Sequence, residues 1–190
     1  MKFTAVILAG GRSTRMGRDK AFLELEGQTL LERQIETVRA IGAAEIFISG
    51  RSGMDYSAFG LRVVHDEFPD AGPLGGIHAA FLAANHPLLL VLAVDLPVMD
   101  ANWLKQLVSA ANAGMGIIPR VSGMIEPLAA IYPRAAQKFA ETLLREQKFA
   151  VRDFAVACVQ AGLAGFEDFP DDFARLFQNL NSPADLPCSN

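Results

Sequence analysis

Short apolar segments alternate along the chain with longer segments whose apolar residues recur at helical spacing. Four of the short segments are rich in Val, Ile, Leu or Phe, a pattern typical of strands buried on both faces of a sheet. These segments are Thr4–Ala9, Glu45–Ser49, Leu61–His65 and Leu88–Val94. Because helical patterns separate them, we predict parallel strands that are joined by crossover helices.

Helix start and stop signals support this alternation. Thr29 and Glu32 form the pattern of a capping box, and Gly42 marks the end of the helix that follows. Asp100 is the expected N-cap of a second helix, and apolar residues over 136–144 mark one face of a third. We therefore predict an α/β fold, a Rossmann-like three-layer sandwich with a mostly parallel sheet.

Two segments depart from the simple alternation. Residues 116–133 have the pattern of two strands around a turn, and the stretch after Gly162 predicts no particular element. The chain contains no internal repeat, low-complexity tract or linker long enough to separate domains. With 190 residues, the whole span 1–190 is therefore expected to form one domain.

Composition and charge exclude several classes of protein. Apolar residues make up 51 % of the chain, which excludes wholesale disorder. The net charge of −4 argues against a protein that holds nucleic acid or an anionic membrane on a basic face. The longest apolar run, Leu88–Val94, is far shorter than the roughly 18 residues of a membrane-spanning helix. Cys158 and Cys188 form neither a disulfide framework nor a metal-binding pattern, so we expect a reducing cytoplasm.

The most unusual loops all follow predicted strands. The loop at 10–20 follows the first strand, 66–76 follows the third, and 95–97 follows the fourth. In open α/β sheets, ligands bind beyond the carboxyl ends of the strands. The three loops are therefore expected to form one site.

The first of these loops is rich in glycine and positive charge. Positions 8–20 read LAGGRSTRMGRDK, with three glycines, three arginines and a lysine. Glycines allow backbone N–H groups to surround a phosphate, and the cations neutralise it. The loop matches neither a Walker A loop nor the GxGxxG fingerprint. The alternative is a basic, tight surface turn, which is unusual in an acidic protein.

This loop resembles the signature of the nucleotidyltransferase family, most closely its molybdenum cofactor guanylyltransferase branch. That branch has the form LAGG-x-S-x-RMG-x-DK, and each fixed position matches between Leu8 and Lys20. The resemblance implies that Lys20 and Arg15 are catalytic and hold the nucleotide phosphates. It also implies nucleotide contacts from the first six residues of this stretch, which are Leu8, Ala9, Gly10, Gly11, Arg12 and Ser13.

The second loop reads GPLGGI and precedes a helical pattern that runs to Ala84. Proline stiffens the turn, and the paired glycines allow a flat ring or a phosphate to approach the backbone. The alternative is a tight strand-to-helix connection. GPLGGI resembles the nucleobase loop of the guanylyltransferases, in which backbone groups read the purine. The resemblance thus implies nucleotide contacts from Gly72, Pro73, Leu74, Gly75 and Gly76. The stretch 48–51 would complete the base pocket, with Ser49 where the family frequently has Asn.

Two carboxylates are candidates for a cation or a ribose. Asp95 ends the most apolar strand, where an acid either faces solvent or holds a cation. The run AVDLP around it resembles the metal-binding segment of the family, and Mg²⁺ suits one or two carboxylates with phosphate oxygens and waters. Asp66 is the candidate second carboxylate or ribose contact, the alternative being an ordinary loop acid.

Three residues are candidates for the acceptor side of the site. Asn179 and Asn181 belong to an NLNSP segment that resembles the NxNTP segment of the family; the alternative is an Asx turn. Glu126 stands in an EPL stretch that resembles the acceptor-side segment, with Glu in place of the common His.

The resemblance implies transfer of GMP from GTP to the phosphate of molybdopterin, with release of pyrophosphate. The partners would be GTP, molybdopterin, and the proteins that make or accept the cofactor. Related enzymes that use CTP or a sugar phosphate are the nearest alternative, which Gly11 and GPLGGI disfavour. The other alternative is a non-catalytic adaptor that binds a nucleotide and delivers cofactor; Lys20 and Asp95 together argue against it.

Overall fold

Ten strands and five α-helices make up the part of the chain that the computed structural model describes, residues 1–10, 19–68, 70–112 and 114–180. The strands are β1 (Thr4–Leu8), β2 (Glu24–Leu25), β3 (Gln28–Thr29), β4 (Glu45–Ser49), β5 (Arg62–Val64), β6 (Leu88–Ala93), β7 (Gly116–Val121), β8 (Met124–Ile125), β9 (Ala129–Pro133) and β10 (Ala164–Phe169). The helices are α1 (Leu30–Ala40), α2 (Pro73–Ala83), α3 (Ala101–Ala110), α4 (Gln137–Arg145) and α5 (Val151–Gln160). Short 3₁₀ helices lie at Lys20–Phe22, Ser57–Phe59, Arg134–Ala136 and Asp171–Phe177.

The main sheet has the strand order β10-β7-β9-β6-β1-β4-β5. The short strand β8 also belongs to this sheet and pairs with β7. The central strand β1 is parallel to both neighbours, so that Val6 lies between Phe47 and Val91. Only β9 and the short β8 run antiparallel to their partners in this sheet, among the described residues. The predicted mostly parallel sheet is therefore confirmed, and so are the paired strands predicted within 116–133.

Side chains of β1 alternate between two apolar clusters on opposite faces of the sheet. Ala5 and Ile7 pack on the face that α1 and α3 cover. Val6 and Leu8 pack on the other face, which α2, α4 and α5 cover. All six residues of β6 are buried, as expected for a strand with helices on both sides. This arrangement confirms the predicted three-layer sandwich.

The helix signals act as predicted. The Thr29 hydroxyl accepts from the Glu32 amide, and the Glu32 carboxylate accepts from the Thr29 amide at 2.8 Å. Asp100 caps α3 through the Asn102 amide. By contrast, α5 was not predicted, because its N-cap is Ala150 and no side chain caps it. The edge strand β10 lacked a clear pattern because several of its side chains are half-buried or exposed.

The topology brings the carboxyl ends of β1, β4, β5 and β6 together at one edge of the sheet. The loops at 66–76 and 95–97, and the described part of the loop at 10–20, follow three of these strands. None of the helices in the described segments is both long enough and apolar enough to cross a lipid bilayer.

Candidate active site

A cavity of about 640 Å³ opens at this edge of the sheet. Ten residues predicted to bind the nucleotide or act in catalysis line it: Leu8, Ala9, Gly10, Lys20, Ser49, Asp66, Gly72, Pro73, Gly76 and Asp95. A smaller cavity of about 270 Å³ lies between β5 and α2, and none of the predicted site residues that the structure describes line it. The predicted residues therefore converge on the larger cavity.

Several predicted residues lie elsewhere. Leu74 is buried in the core, and Gly75 is buried against Asp66 without lining the cavity itself. Glu126 and Asn179 also lie off the lining. Gly11, Arg12, Ser13, Arg15 and Asn181 are outside the described residues, so their contacts stay predictions.

Lys20 and Asp95 meet directly at the cavity, although 75 positions separate them along the chain. The Lys20 ammonium donates to the Asp95 carboxylate at 3.0 Å. The Asp19 side chain accepts from the Ala21 amide at 3.0 Å and so begins the 3₁₀ helix that carries Lys20. The side chains of the pair are only 19 % and 25 % exposed, so water screens their attraction less than on an open surface.

Backbone hydrogen bonds hold the strand ends that surround this pair. The Ala9 amide donates to the Ser49 carbonyl at 2.9 Å, and the Val94 amide donates to the Leu8 carbonyl at 3.2 Å. The Leu180 amide donates to the Asp95 carbonyl at 3.0 Å. The last bond brings the segment that contains Asn179 next to Asp95, as a shared site requires.

The second loop begins helix α2 at the cavity. Gly72 is its N-cap with φ 62° and ψ −148°, a conformation that only glycine adopts readily, and Pro73 follows at the first helical position. The first turn of a helix has unpaired N–H groups and the positive end of the helix dipole. Because Pro73 has no N–H, the donors that the start of α2 can offer to an anion or a base edge are the amides that follow it.

Close packing explains the two glycines inside α2. A Cβ on Gly75 would overlap the Asp66 carboxylate, and a Cβ on Gly76 would overlap the Ser49 hydroxyl. Ser49, which is buried, therefore packs its hydroxyl against the backbone of the helix. These glycines bring α2 close to the ends of β4 and β5 and shape the cavity wall.

Asp66 is held at the wall of the cavity by its own loop. Its Oδ1 accepts from the Phe68 amide at 2.7 Å. Burial raises the pKa of the Asp66 carboxyl, and the Phe68 hydrogen bond opposes that shift. Phe68 also contacts the buried His78 edge-on, with ring centroids 5.6 Å apart. Burial lowers the pKa of His78, which favours a neutral imidazole.

Glu126 is half-buried two positions before Leu128, a residue of the cavity lining, and does not line the cavity itself. Burial raises the pKa of its carboxyl to about 7, so the group is close to half-protonated near neutral pH. The Tyr132 hydroxyl donates to the Pro127 carbonyl at 2.9 Å, and the Ala93 amide donates to the Leu128 carbonyl at 2.8 Å. These bonds hold the turn, and Leu128 reaches the cavity lining.

Several lining residues were not predicted as site residues. Phe68, Asp70 and Ala71 lie within the predicted loop at 66–76, so their positions along the chain were an available signal. Leu128 belongs to the EPL stretch, and pairing of this turn with β6 brings it to the cavity. Gly50 and Arg51 line the cavity as members of the predicted stretch 48–51, and Ser52 follows that stretch.

Sequence comparison assigns this chain to a family of nucleotidyltransferases. Residues 5–157 match the family described as MobA-like NTP transferase domain, and the chain belongs to this family. It is 40 % identical over 182 residues to a probable molybdenum cofactor guanylyltransferase of Opitutus terrae, with 94 % of this chain and 90 % of that protein covered. It is also 34 % identical to the protein of the same name from Pelotomaculum thermopropionicum, with 98 % and 91 % covered.

Solved structures share the fold at lower identity. Molybdopterin-guanine dinucleotide biosynthesis protein A from Archaeoglobus fulgidus aligns with a TM-score of 0.73 and 21 % identity, covering 96 % of this chain and 94 % of that one. The 2-C-methyl-D-erythritol 4-phosphate cytidylyltransferase from Thermus thermophilus aligns with a TM-score of 0.72 and 22 % identity, covering 98 % and 96 %. These similarities establish a shared fold.

Proposed function

We propose that this chain is a molybdenum cofactor guanylyltransferase that transfers GMP from GTP to the terminal phosphate of molybdopterin. Family membership and the 40 % identical relative support the reaction class and the substrates. The structural observation that carries the proposal is the Lys20–Asp95 ion pair within the glycine-lined cavity. A cytoplasmic location accompanies the proposal, consistent with the cysteine pattern.

The reaction exchanges one phosphoanhydride bond for another. An oxygen of the molybdopterin phosphate attacks the α-phosphorus of GTP and forms a new P–O bond. The P–O bond to the bridging oxygen of the β-phosphate breaks, and pyrophosphate leaves with the electron pair. The acceptor is already ionised near neutral pH, because the second pKa of a phosphate monoester is about 6, so no strong base is needed. The obstacle is repulsion between two polyanions.

Cationic and N–H groups around the cavity are proposed to offset this repulsion. Lys20 would lie against the α- and β-phosphates, where its ammonium stabilises the charge that develops on the leaving group. The backbone at Gly10 faces the Ser49–Arg51 backbone, and a Cβ there would make only ordinary contacts at 3.6 Å or more. Packing alone therefore does not require glycine at this position. Glycine would be required at position 10 if a phosphate approaches the backbone closely. Gly11, Arg12, Ser13 and Arg15 are proposed to contact the phosphates as well.

The start of α2 is proposed to bind the guanine. The first-turn N–H groups, which lack helical partners, and the tight packing at Gly75 and Gly76 support a flat, backbone-lined base pocket. Ser49 and Asp66 would complete this pocket at the ends of β4 and β5. Asn179, Asn181 and Glu126 are proposed to face the pterin, which the contact between Leu180 and Asp95 supports.

Mg²⁺ is the cation proposed for this site, with Asp95 as its protein ligand. No cluster of three acidic, His or Cys side chains suited to a metal occurs among residues 1–10, 19–68, 70–112 and 114–180. The Asp95 carboxylate lines the cavity, and proteins hold Mg²⁺ through one or two carboxylates while phosphates and waters supply the other oxygens. When bound, the ion would neutralise phosphate charge and orient the triphosphate. Asp95 would then divide its charge between this ion and Lys20.

Pyrophosphate release with different nucleotides tests the function directly. The purified chain is incubated with Mg²⁺ and metal-loaded molybdopterin, and GTP, ATP or CTP is added in turn. We expect release that depends on GTP and on molybdopterin. Preference for CTP would assign the chain to the cytidylyl branch. Tight GTP binding without pyrophosphate release would instead show the non-catalytic adaptor.

A further inference from the structure

Gln34 is a buried polar residue of α1 that the mechanism above does not use. Its side chain is only 2 % exposed, and it lies among the apolar residues between α1 and the sheet. Its Nε2 donates to the Leu96 carbonyl at 2.6 Å, across 62 positions of the chain. The orientation of the amide follows from the partner, because a carbonyl oxygen only accepts.

This hydrogen bond is not needed to satisfy the Leu96 carbonyl. The Met99 amide also donates to that oxygen, at 3.2 Å. The Gln34 Oε1 is buried and has no hydrogen-bond partner among the described residues. Burial of an unpaired amide oxygen destabilises a fold. An apolar side chain of the same length would therefore suit the core at least as well as Gln34 does.

Helix α1 contacts the two segments that carry Lys20 and Asp95. The 3₁₀ helix that carries Lys20 packs against α1. The Gln34 amide binds the segment that carries Asp95, because it donates to the carbonyl of Leu96, the next residue in the chain. The segments that carry the Lys20 ammonium and the Asp95 carboxylate, which lie 3.0 Å apart, thus both pack on α1.

We propose that Gln34 is a positioning residue that fixes the Asp95 turn on α1 and thereby sets the Asp95 carboxylate against Lys20. The inference rests on the proposed function for its effect on catalysis, but its effect on geometry is independent of that function. Residues that orient a ligand carboxylate from behind typically change metal affinity or activity 10- to 100-fold when they are replaced, as an order of magnitude.

Gln34→Met tests the proposal, since methionine keeps the length of the side chain and removes the donor. We expect a melting temperature at or above that of the wild type, with kcat lower by about tenfold or more. The Mg²⁺ concentration for half-maximal rate should rise, while the KM for GTP changes little. In an Asp95→Asn background the same substitution should cause no further loss, because Gln34 acts through Asp95.

Thr4→Val is the matched control. Thr4 is fully buried and donates to Glu45 at 2.7 Å, but it lies at the opposite end of β1 from the cavity. This variant should be less stable than the wild type and retain its kcat. A Gln34→Met enzyme with wild-type kcat and Mg²⁺ dependence would overturn the proposal, as would an equal loss in the Asp95→Asn background.

A crystal structure of Gln34→Met separates this proposal from the proposed function. We expect the Leu96 carbonyl to move and the Lys20–Asp95 distance to exceed 3.0 Å. An unchanged turn and ion pair would refute positioning by Gln34, even if the wild type released no pyrophosphate. Failure of the wild type to release pyrophosphate would count against the proposed function alone.

Discussion

Replacement of Gly72 by alanine tests whether the backbone at the start of α2 shapes the cavity. Gly72 has φ 62° and ψ −148°, a region occupied almost only by glycine. No heavy atom lies within 4 Å of the Cβ that alanine would add, so backbone strain and not a clash sets the cost. Such strain amounts to about 1–3 kcal/mol. We therefore expect the free energy of unfolding to fall by about 2 kcal/mol.

Two other glycines with open surroundings provide matched controls. Gly42 has φ 78° at the end of α1, away from the cavity, and Gly165 has no positive φ. Gly42→Ala should lower the free energy of unfolding by about 1 kcal/mol, because L-residues are strained in this region. Gly165→Ala should change it by less than about 0.5 kcal/mol. Urea unfolding of all three variants, with m-values compared, measures these differences.

The effect on nucleotide binding distinguishes strain at the site from strain elsewhere. The Gly72→Ala chain can relieve its strain only by moving the turn that brings Pro73 to the cavity wall. We expect the KM for GTP to rise by about tenfold in this variant, because small displacements of positioning groups are costly. The KM should be unchanged in Gly42→Ala. A Gly72→Ala chain as stable as Gly165→Ala, or with unaltered KM, would refute this reasoning.

Three further predictions concern individual side chains. Asp95→Asn should lower kcat about 100-fold in the presence of Mg²⁺ without unfolding the chain, and a near-normal rate would remove Asp95 from the mechanism. Lys20→Ala should lower kcat/KM for GTP by about 100-fold, and an unchanged rate curve would show that Lys20 does not meet the phosphates. Burial raises the pKa of Glu126 to about 7, so the native state binds more protons than the unfolded state between its ordinary pKa and about 7. The free energy of unfolding of the wild type, relative to that of Glu126→Gln, should therefore fall as pH rises through this window. Urea unfolding of both proteins at pH 5 and pH 8 tests this prediction. The same difference in unfolding free energy between them at both pH values would contradict it.

Local signals along the chain predicted much of the architecture. The capping box at Thr29 and Glu32 and the Asp100 N-cap each depend on residues only two or three positions apart, so sequence reveals them. The buried strands were recognisable because helices cover both of their faces. Helix α5 lacks a capping side chain, and the edge strand β10 lacks a clean apolar pattern, so neither had a comparable local signal.

For the candidate site, the chain by itself determined which loops carry glycines, cations and carboxylates, because these residue types and spacings are local properties. Only the tertiary structure decided that Lys20 meets Asp95, that Leu128 reaches the cavity, and that Gln34 holds the turn after β6. It also placed Leu74 in the core and Glu126 off the cavity lining. The physical reason is that these contacts join residues far apart in the chain. Strand order and helix packing set their distances, and no local pattern encodes either one.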